Sequence, residues 1–250
     1  MKTSGNTILI TGGATGIGFA LAEAFIKAGN KVLICGRRKA KLEEAKGKLP
    51  QIQVRQCDLS QKEDRESLCN WVSENYKDLN ILVNNAGIAR SINLRKGTAE
   101  LFGGEDEVQI NFMAPIHLSV YFAPLLLKKK EAAIVNVSSG GGFVPIAGIP
   151  LYCATKAGLH SFSVSLRYQL KGTSIKVFEI VPPAVDTDLG KGATEASIRD
   201  YKGILPSEVA TATIKAFQND EYEIIIGEAK GIVEGSKKDF EKTFQELNNW

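Results

Sequence analysis

The sequence contains few of the residues that build metal centres or covalent cross-links. Its 250 residues include 4 cysteines and 2 histidines. The cysteines are Cys35, Cys57, Cys69 and Cys153, and no two of them have the C-x-x-C spacing of a zinc or redox site. We therefore expect no metal site and no disulfide framework. Unpaired thiols favour a cytoplasmic protein.

Long apolar segments are also missing. No apolar run reaches the roughly 18 residues of a membrane-spanning helix without a charge or a glycine. The N-terminal segment MKTSGN leads directly into a strand-like run and lacks the apolar core and cleavage site of a signal peptide. We expect no membrane partner and a cytoplasmic location.

The chain carries little excess charge of either sign. It has 31 basic and 28 acidic side chains, a formal net charge of +3. The basic runs GRRKAK and LKKK are short and far apart, so they do not predict a continuous basic face. We therefore expect no nucleic-acid partner.

Short β-branched runs alternate with longer amphipathic segments along the whole chain. Alternation of this kind predicts an α/β fold, a single doubly wound domain over residues 1–250 with a mainly parallel sheet of about seven strands and helices on both faces. The candidate strands are NTILIT, KVLIC, IQVRQC, NILVNN, AAIVNVSS, SIKVFEIV and EYEIII. The candidate helices span about residues 17–28, 39–48, 61–76, 105–129, 151–170 and 206–219, with a C-terminal helix over 231–250. Residues 186–205 show no clear period and are predicted to form a substrate loop.

The segment ILITGGATGIGFALAEAF places glycines between a strand and a helix. Gly12, Gly16 and Gly18 would let the backbone approach a bulky anion such as a diphosphate, and the helix N-terminus would attract it. A tight turn without a ligand has the same sequence. The spacing G-x-x-x-G-x-G also differs from the commoner G-x-G-x-x-G fingerprint.

Basic residues follow the second strand, in VLICGRR. Arg37 and Arg38 stand about 20 residues after the glycines, where dinucleotide sites carry an acid for a ribose hydroxyl or an arginine for a 2′-phosphate. NADP(H) is therefore the favoured cofactor over NAD(H), although these residues could also begin a solvated helix. Asp58, after the third strand, could accept a hydrogen bond from adenine, cap the following helix, or do both.

The segment VSSGGGFVPIAGIPLYCATKAG holds a third group of candidates. Tyr152 and Lys156 are four residues apart and so lie on one face of a predicted helix. Ser139 precedes Tyr152 by 13 residues, at a strand end. A lone Tyr–Lys pair carries little information, and a strand-end serine is common in turns. Their combination with the glycine turn is the informative feature.

With these motifs the sequence resembles the short-chain dehydrogenase/reductase family. The resemblance rests on TGGATGIG, NNAG, the Asn111 of QINFMAP, VSS, YCATK and PPAVDT, in the family's order over nearly the whole chain. It implies a Rossmann-type fold and an NADP(H)-dependent oxidoreductase acting on CH–OH or C=O groups. The implied catalytic residues are Asn111, Ser139, Tyr152 and Lys156. The implied cofactor-binding residues are Gly12, Thr15, Gly16, Ile17, Gly18, Arg37, Arg38, Asp58, Leu59, Asn84, Asn85, Ala86, Gly87, Tyr152, Lys156, Pro182, Val185 and Thr187.

In this scheme Tyr152 is the general acid or base, and Lys156 lowers its pKa from the usual value of about 10. Ser139 holds the substrate oxygen. Asn111 helps to hold a water, or is an ordinary polar helix residue. The apolar residues Phe143, Val144, Ile146, Ile149 and Pro183 favour a small neutral carbonyl or alcohol substrate.

One position departs from the family pattern: Pro183 follows Pro182, where the family often has glycine. The PPAVDTD segment and the charged C-terminal helix are similar to DltE-type oxidoreductases within the family. The resemblance further implies a homodimer or homotetramer through the helices near residues 105 and 151, although these apolar helices could simply cover the sheet. Two other functions are open, an NADPH-binding sensor or scaffold and an enzyme reducing C=C bonds or nucleotide sugars.

Overall fold

Seven parallel strands form one sheet in the order β3-β2-β1-β4-β5-β6-β7. The computed structural model describes residues 1–189 and 203–249. The strands are β1 Thr7–Thr11, β2 Lys31–Gly36, β3 Gln53–Gln56, β4 Ile81–Asn84, β5 Ala132–Val137, β6 Ile175–Val181 and β7 Glu223–Ile225. The strand order reverses between β1 and β4, and ligands bind outside the carboxyl ends of strands at such a point. The predicted Rossmann-type fold is confirmed.

The helices connect the strands in the predicted alternation. They are α1 Gly16–Lys27, α2 Lys39–Lys48, α3 Lys62–Asn75, α4 Thr98–Phe102, α5 Ala114–Leu126, α6 Pro150–Gln169, α7 Pro206–Asn219, α8 Ala229–Lys238 and α9 Phe240–Asn248. Short 3₁₀ turns cover Leu94–Lys96 and Gly140–Gly142, and a π-helical turn, Gln109–Met113, leads into α5.

A hydrophobic layer covers each face of the sheet. Side chains alternate between the two faces along each strand, so Ile8 and Ile10 of β1 join one layer and Leu9 joins the other. The first layer includes Phe25 of α1 and Phe217 of α7; the second includes α3, α5 and α6. The inner strands are buried on both faces, whereas the edge strand β3 is not.

The structure differs from the sequence-based boundaries in two places. The expected helix over residues 105–129 begins at Gln109 with the π-helical turn. The expected C-terminal helix is divided into α8 and α9, because Asp239 caps a new helix by accepting a hydrogen bond from the Lys242 N–H at 3.1 Å. The short elements between residues 94 and 102 were not predicted.

Most of the predicted substrate loop, residues 190–202, lies outside the described residues. The flanking segments pair with each other: Val185 forms an isolated parallel bridge with Ile204, and the Asp186 N–H donates to the Ile204 carbonyl at 2.9 Å. In the described part of the chain, no helix combines the length and apolarity needed to cross a bilayer.

Candidate active site

The glycine turn between β1 and α1 packs against the end of β4. Gly12 has a φ of 63°, which favours glycine, and a side chain there would lie 2.9 Å from the Ala86 Cα. At Gly18 an added Cβ would meet the Gly12 carbonyl oxygen at 2.4 Å. The turn therefore needs glycine for close backbone packing. It places the first turn of α1, from Gly16 and Ile17, next to the carboxyl end of β1, and a helix N-terminus has the unpaired N–H groups that an anion site needs.

Arginine side chains stand beside this turn. The Arg37 Nη2 donates to Glu105 Oε1 at 2.6 Å across 68 residues of sequence, and the Arg38 Nη2 donates to the Thr15 hydroxyl at 3.3 Å. The Arg38 contact brings the end of β2 to the start of α1. Both predicted phosphate ligands thus lie at the same edge of the sheet as the glycines.

Asp58 and Leu59 form a turn after β3. The Asp58 Oδ1 accepts hydrogen bonds from the N–H and hydroxyl of Ser60, at 2.9 and 2.8 Å. Gln61, and not Asp58, is the N-terminal flanking residue of α3. Asp58 therefore shapes the turn at the adenosine end of the predicted site and does not cap the helix.

Sequence reasoning missed Arg65, which supports this turn. Arg65 is buried, and its Nη1 donates to the Leu59 carbonyl at 2.6 Å. Its Nε donates to His117 Nδ1 at 3.1 Å, and its Nη2 to Gln109 Oε1 at 3.4 Å. A basic residue on a predicted solvent-exposed helix gave no signal for this role, which depends on how α3 packs against α5.

The segment after β4 separates two neighbouring asparagines. Asn84 is buried in the core, where its Nδ2 donates to Asn136 Oδ1 at 2.9 Å. Its side chain therefore lies away from the predicted cofactor cleft. The Asn85 Nδ2 donates to the Thr11 carbonyl at 2.9 Å, and the Ala86 N–H donates to the Thr11 hydroxyl at 3.0 Å. Asn85 and Ala86 thus hold the β4 end against the glycine turn.

Ser139, Tyr152 and Lys156 converge where β5 ends and α6 begins. A side chain at Gly141 would contact both Ser139 Oγ, at 3.5 Å, and Tyr152 Cε1, at 4.0 Å. The Lys156 Nζ lies 5.6 Å from the centre of the Tyr152 ring and donates to the Val137 carbonyl at 2.7 Å. Both side chains are more than nine-tenths buried. The structure therefore brings the predicted catalytic residues together.

Burial dominates the ionisation of this pair. Desolvation raises the pKa of Tyr152 to about 12, although a hydrogen bond with Ser139 acts in the opposite direction. Desolvation lowers the pKa of Lys156 to about 8. The expected lowering of the Tyr152 pKa is thus absent, because desolvation of the phenol outweighs the hydrogen bond with Ser139.

Asn111 lies in the π-helical turn, an irregularity that often occurs at functional sites. The Asn111 Oδ1 accepts from the Ile88 N–H at 2.9 Å, and its Nδ2 donates to the Ile88 carbonyl at 2.8 Å and the Thr155 hydroxyl at 3.1 Å. It therefore joins the segment after β4 to α6. Gly87 lies between them: an added Cβ would be 3.5 Å from both Asn111 Oδ1 and Lys156 Nζ.

The segment after β6 lies against both the Ser139 turn and the glycine turn. The Pro182 carbonyl accepts from the Gly140 N–H at 3.3 Å, which ties this segment to the Ser139 turn. An added Cβ at Gly16 would meet Thr187 Cγ2 at 3.0 Å. Pro182 and Thr187 therefore face the Ser139 and glycine turns. Val185 pairs with Ile204.

An apolar wall adjoins Tyr152. Ile149 and Cys153 form a small buried cluster with Tyr152, and Ala89 and Ile146 pack against it. The C-terminal helix supports this wall: the Asn248 Nδ2 donates to the Pro145 carbonyl at 3.1 Å, and its Oδ1 accepts from the Ala147 N–H at 2.6 Å. No local pattern in the sequence predicts that Asn248 reaches this loop.

Two buried acidic residues near the site were also missed. Glu107 pairs with Arg90, whose N–H and Nε donate to it at 3.1 and 3.3 Å. Glu179 pairs with His160 at 2.9 Å. Glu179 could have been found from the sequence, because it is an acid inside the apolar strand segment KVFEIV. A buried charge at such a position needs a partner.

The arrangement fits a dinucleotide cofactor. The crowding around Gly12 and Gly18 provides the close backbone approach that a diphosphate needs, and Arg37 and Arg38 supply cationic groups at the adenosine end. Tyr152 and Lys156 lie at the opposite end of the cleft. The two groups of side chains are therefore suited to the two ends of one extended dinucleotide.

Comparison with known proteins agrees with this geometry. Residues 6–197 match the family model described as short chain dehydrogenase. The uncharacterized oxidoreductase DltE of Bacillus subtilis is 46% identical over 99% of this chain and 98% of its own length. The NADP-dependent 3-hydroxy acid dehydrogenase YdfG of Salmonella typhi is 31% identical over 78% of this chain and 77% of its own.

A solved structure shows the same architecture. The short-chain dehydrogenase from Sphingobium yanoikuyae in complex with NADPH superposes with a TM-score of 0.80 at 28% identity, covering 93% of this chain and 94% of that one. The resemblance seen in the sequence motifs, including the DltE-like character, is confirmed. The chain is an oxidoreductase that belongs to the short-chain dehydrogenase family.

Proposed function

We propose that this protein is an NADP(H)-dependent oxidoreductase that interconverts a small, neutral carbonyl compound and its alcohol. The observation that carries the proposal is the convergence of Ser139, Tyr152 and Lys156 at the end of β5, in the same cleft as the glycine turn. A hydride donor bound along the cleft would supply the reducing equivalent. The protein supplies the proton and the oxygen ligand.

In the reductive direction Tyr152 donates its phenolic proton to the substrate oxygen. A pKa raised to about 12 keeps this hydroxyl protonated at neutral pH, as an acid must be. The Ser139 hydroxyl donates a hydrogen bond to the same oxygen as negative charge develops on it. In the oxidative direction the tyrosinate form of Tyr152, which Lys156 stabilises, accepts the alcohol proton, and Ser139 holds the alcohol oxygen.

Lys156 stabilises the tyrosinate that remains after proton donation. Its ammonium group lies over the Tyr152 ring, and its bond to the Val137 carbonyl fixes its position. An opposite charge at this range favours the ionised phenol. Asn111 keeps Ile88 and Thr155 in place beside Lys156, and its predicted role in holding a water is part of the proposal.

The basic residues after β2 support NADP(H) over NAD(H). The side chains of Arg37 and Arg38 are cationic at the position where NAD sites commonly carry an acid. The NADPH complex of the Sphingobium enzyme and the NADP dependence stated in the name of YdfG support the same choice.

The apolar wall of Ile146, Ile149 and Ala89 supports a neutral substrate. YdfG is named for a 3-hydroxy acid, so acids belong in any substrate screen.

We also propose a homodimer or homotetramer formed by α5 and α6. These helices expose apolar side chains that the monomer leaves uncovered, namely Val120, Tyr121, Val164 and Tyr168.

The alternative function is an NADPH sensor or scaffold with little turnover. The intact and mutually positioned Ser139, Tyr152 and Lys156 favour catalysis over this alternative.

The test is NADPH oxidation by the purified protein across aldehydes, ketones, diketones, quinones and keto acids, with NADH in parallel. Tyr152→Phe should lower the rate at least about 100-fold, because a positioned acid or base contributes about 10² to 10⁴. Tyr222→Phe, at an exposed tyrosine outside the proposed subunit interface, is the matched control and should retain the rate. Retention of most activity by Tyr152→Phe would refute the mechanism. Tight NADPH binding without turnover on any substrate would favour the sensor.

A further inference from the structure

A carboxylate is buried inside the central part of the fold, outside the set of residues used above. Glu179 lies in the middle of β6, and its side chain is completely buried. The two carboxylate oxygens lie 3.1 and 2.9 Å from Nδ1 of His160, on α6. His160 is partly exposed and its ring packs 4.3 Å from that of Phe143. Burying a charge is unfavourable unless neighbouring groups compensate for the lost solvent, so a fully buried carboxylate depends on its partners.

The strand register places Glu179 beside the anchor of Lys156. Glu179 pairs with Asn136 of β5, and the next pair is Ile180 with Val137. The Val137 carbonyl is the acceptor for Lys156 Nζ at 2.7 Å. The acceptor of Lys156 and the backbone of Glu179 are therefore one residue apart in register on adjacent strands. Because neighbouring strands are about 4.8 Å apart, the two positions lie close together.

The same helix covers both groups. Tyr152, Lys156 and His160 occur at intervals of four residues on α6 and therefore share one face. Asn136, the register partner of Glu179, also bonds to α6, because its Nδ2 donates to the Ser163 hydroxyl at 2.8 Å. The face of β5 and β6 that carries Asn136 and Glu179 is therefore the face on which α6 packs.

We propose that Glu179 is a positioning residue for catalysis: its buried carboxylate, modulated by His160, holds Lys156 in the ammonium form. The proposal rests on the proposed role of Lys156 towards Tyr152. Neither Glu179 nor His160 needs to contact the substrate, since Glu179 acts through the charge of Lys156.

The electrostatics follow the geometry. Burial lowers the pKa of Lys156, and the charge of Glu179 acts in the opposite direction. The hydrogen bond to Glu179 raises the pKa of His160. A protonated His160 cancels much of the Glu179 charge, whereas a neutral His160 leaves that charge acting on Lys156. The other charged or titratable groups facing these side chains are Tyr152, Cys153 and Arg167 on α6, Glu223 on β7 and Glu107 before the π-helical turn.

Two variants separate this electrostatic role from a structural one. Glu179→Gln keeps the shape and an acceptor for His160 but removes the charge, so Lys156 should lose its proton at lower pH. His160→Arg keeps an ion pair with Glu179 but makes the partner permanently positive, so it should lower the pKa of Lys156 in the same direction. A purely structural pair would tolerate His160→Arg, whose longer side chain can extend from this partly exposed position.

The experiment is the pH profile of kcat for alcohol oxidation at saturating cofactor. When Lys156 is protonated less often, it stabilises the Tyr152 tyrosinate less. The pH below which kcat falls, the acidic limb of the profile, should therefore move to a higher value. We expect a shift of about one unit for Glu179→Gln, which is about a tenfold lower rate below the limb, and a smaller shift in the same direction for His160→Arg. Glu221→Gln, an exposed carboxylate next to β7, should leave the limb in place.

A second readout does not require turnover. The NMR titration of the side-chain amine of Lys156, assigned by its loss in Lys156→Met, should show the same shifts in the two variants. This separates a failure of the inference from a failure of the proposed function. Unchanged Lys156 titration in both folded variants would overturn the inference, as would a lower kcat with no movement of the pH limb. If Glu179→Gln does not fold, an unchanged titration in His160→Arg is sufficient to overturn it.

Discussion

Replacement of Arg37 by alanine tests how the protein selects its cofactor. In the protein alone the Arg37 guanidinium is bound to Glu105 at 2.6 Å, and both side chains are more than 40% exposed. A 2′-phosphate would have to compete with that carboxylate or share the guanidinium with it. The net gain from Arg37 is therefore the phosphate contact minus the lost ion pair.

The size of the effect follows from these two contributions. A hydrogen bond to a charged group contributes about 1.5–3 kcal/mol, and an exposed ion pair contributes about 0–1 kcal/mol. The difference is about 0.5–3 kcal/mol, which corresponds to about a 2- to 160-fold change in the dissociation constant. NADH lacks the phosphate, so its affinity should change by less than about twofold on the same reasoning.

The assay is a fluorescence titration of NADPH and NADH with the wild-type protein, Arg37→Ala and Glu105→Gln, at two salt concentrations. Arg37→Ala should weaken NADPH binding selectively. Glu105→Gln is the matched control that removes the competing carboxylate, and it should leave NADPH binding unchanged or up to about fivefold tighter. Equal weakening of NADPH and NADH by Arg37→Ala would refute the assignment, because it would place Arg37 on a part common to both cofactors.

Two further predictions concern Asn248 and Lys156. Asn248→Ala removes both bonds to the loop at Pro145 and Ala147; we expect KM to rise about 3- to 10-fold with kcat nearly unchanged, and an equal loss in kcat would contradict this. Lys156→Met should abolish activity yet stabilise the fold by up to about 3 kcal/mol at pH 7, as measured by urea unfolding. The folded pKa of about 8 lies below the ordinary 10.5, so the folded chain binds fewer protons between these values and the cost of burying Lys156 falls as pH rises through that window. A gain that persists at pH 10.5 would contradict this origin.

The sequence was sufficient for features that depend on local pattern. The glycines after β1 and the strand–helix alternation predicted the sheet and its cofactor edge, and α7 has the predicted bounds. The division of the C-terminal helix also had a local signal, since Asp239 is a favourable N-cap, but the apolar spacing of Phe240 and Phe244 continues the helical pattern and obscured it.

Features that depend on packing between distant segments could not be predicted. Arg37 meets Glu105 across 68 residues, and Asn248 meets Ala147 across 101. The spacing of Tyr152 and Lys156 in the sequence suggested that the lysine charge lowers the pKa of Tyr152. Whether this attraction outweighs desolvation depends on how deeply the pair is buried, and that burial is created by the packing of α6 on the sheet. The individual roles of the site residues therefore stay predictions.

The contact between the glycine turn and the β4 end has a consequence for folding. Thr11 and Asn85 are neighbours in the sheet but 74 residues apart in the chain, and they are joined by hydrogen bonds. The proposed diphosphate site therefore forms only after the first three strand–helix units have closed a long loop, a slow step in folding. A ligand that binds the completed site stabilises the native state by mass action. Cofactor added during refolding should accordingly raise the yield of native protein without accelerating the earliest phase.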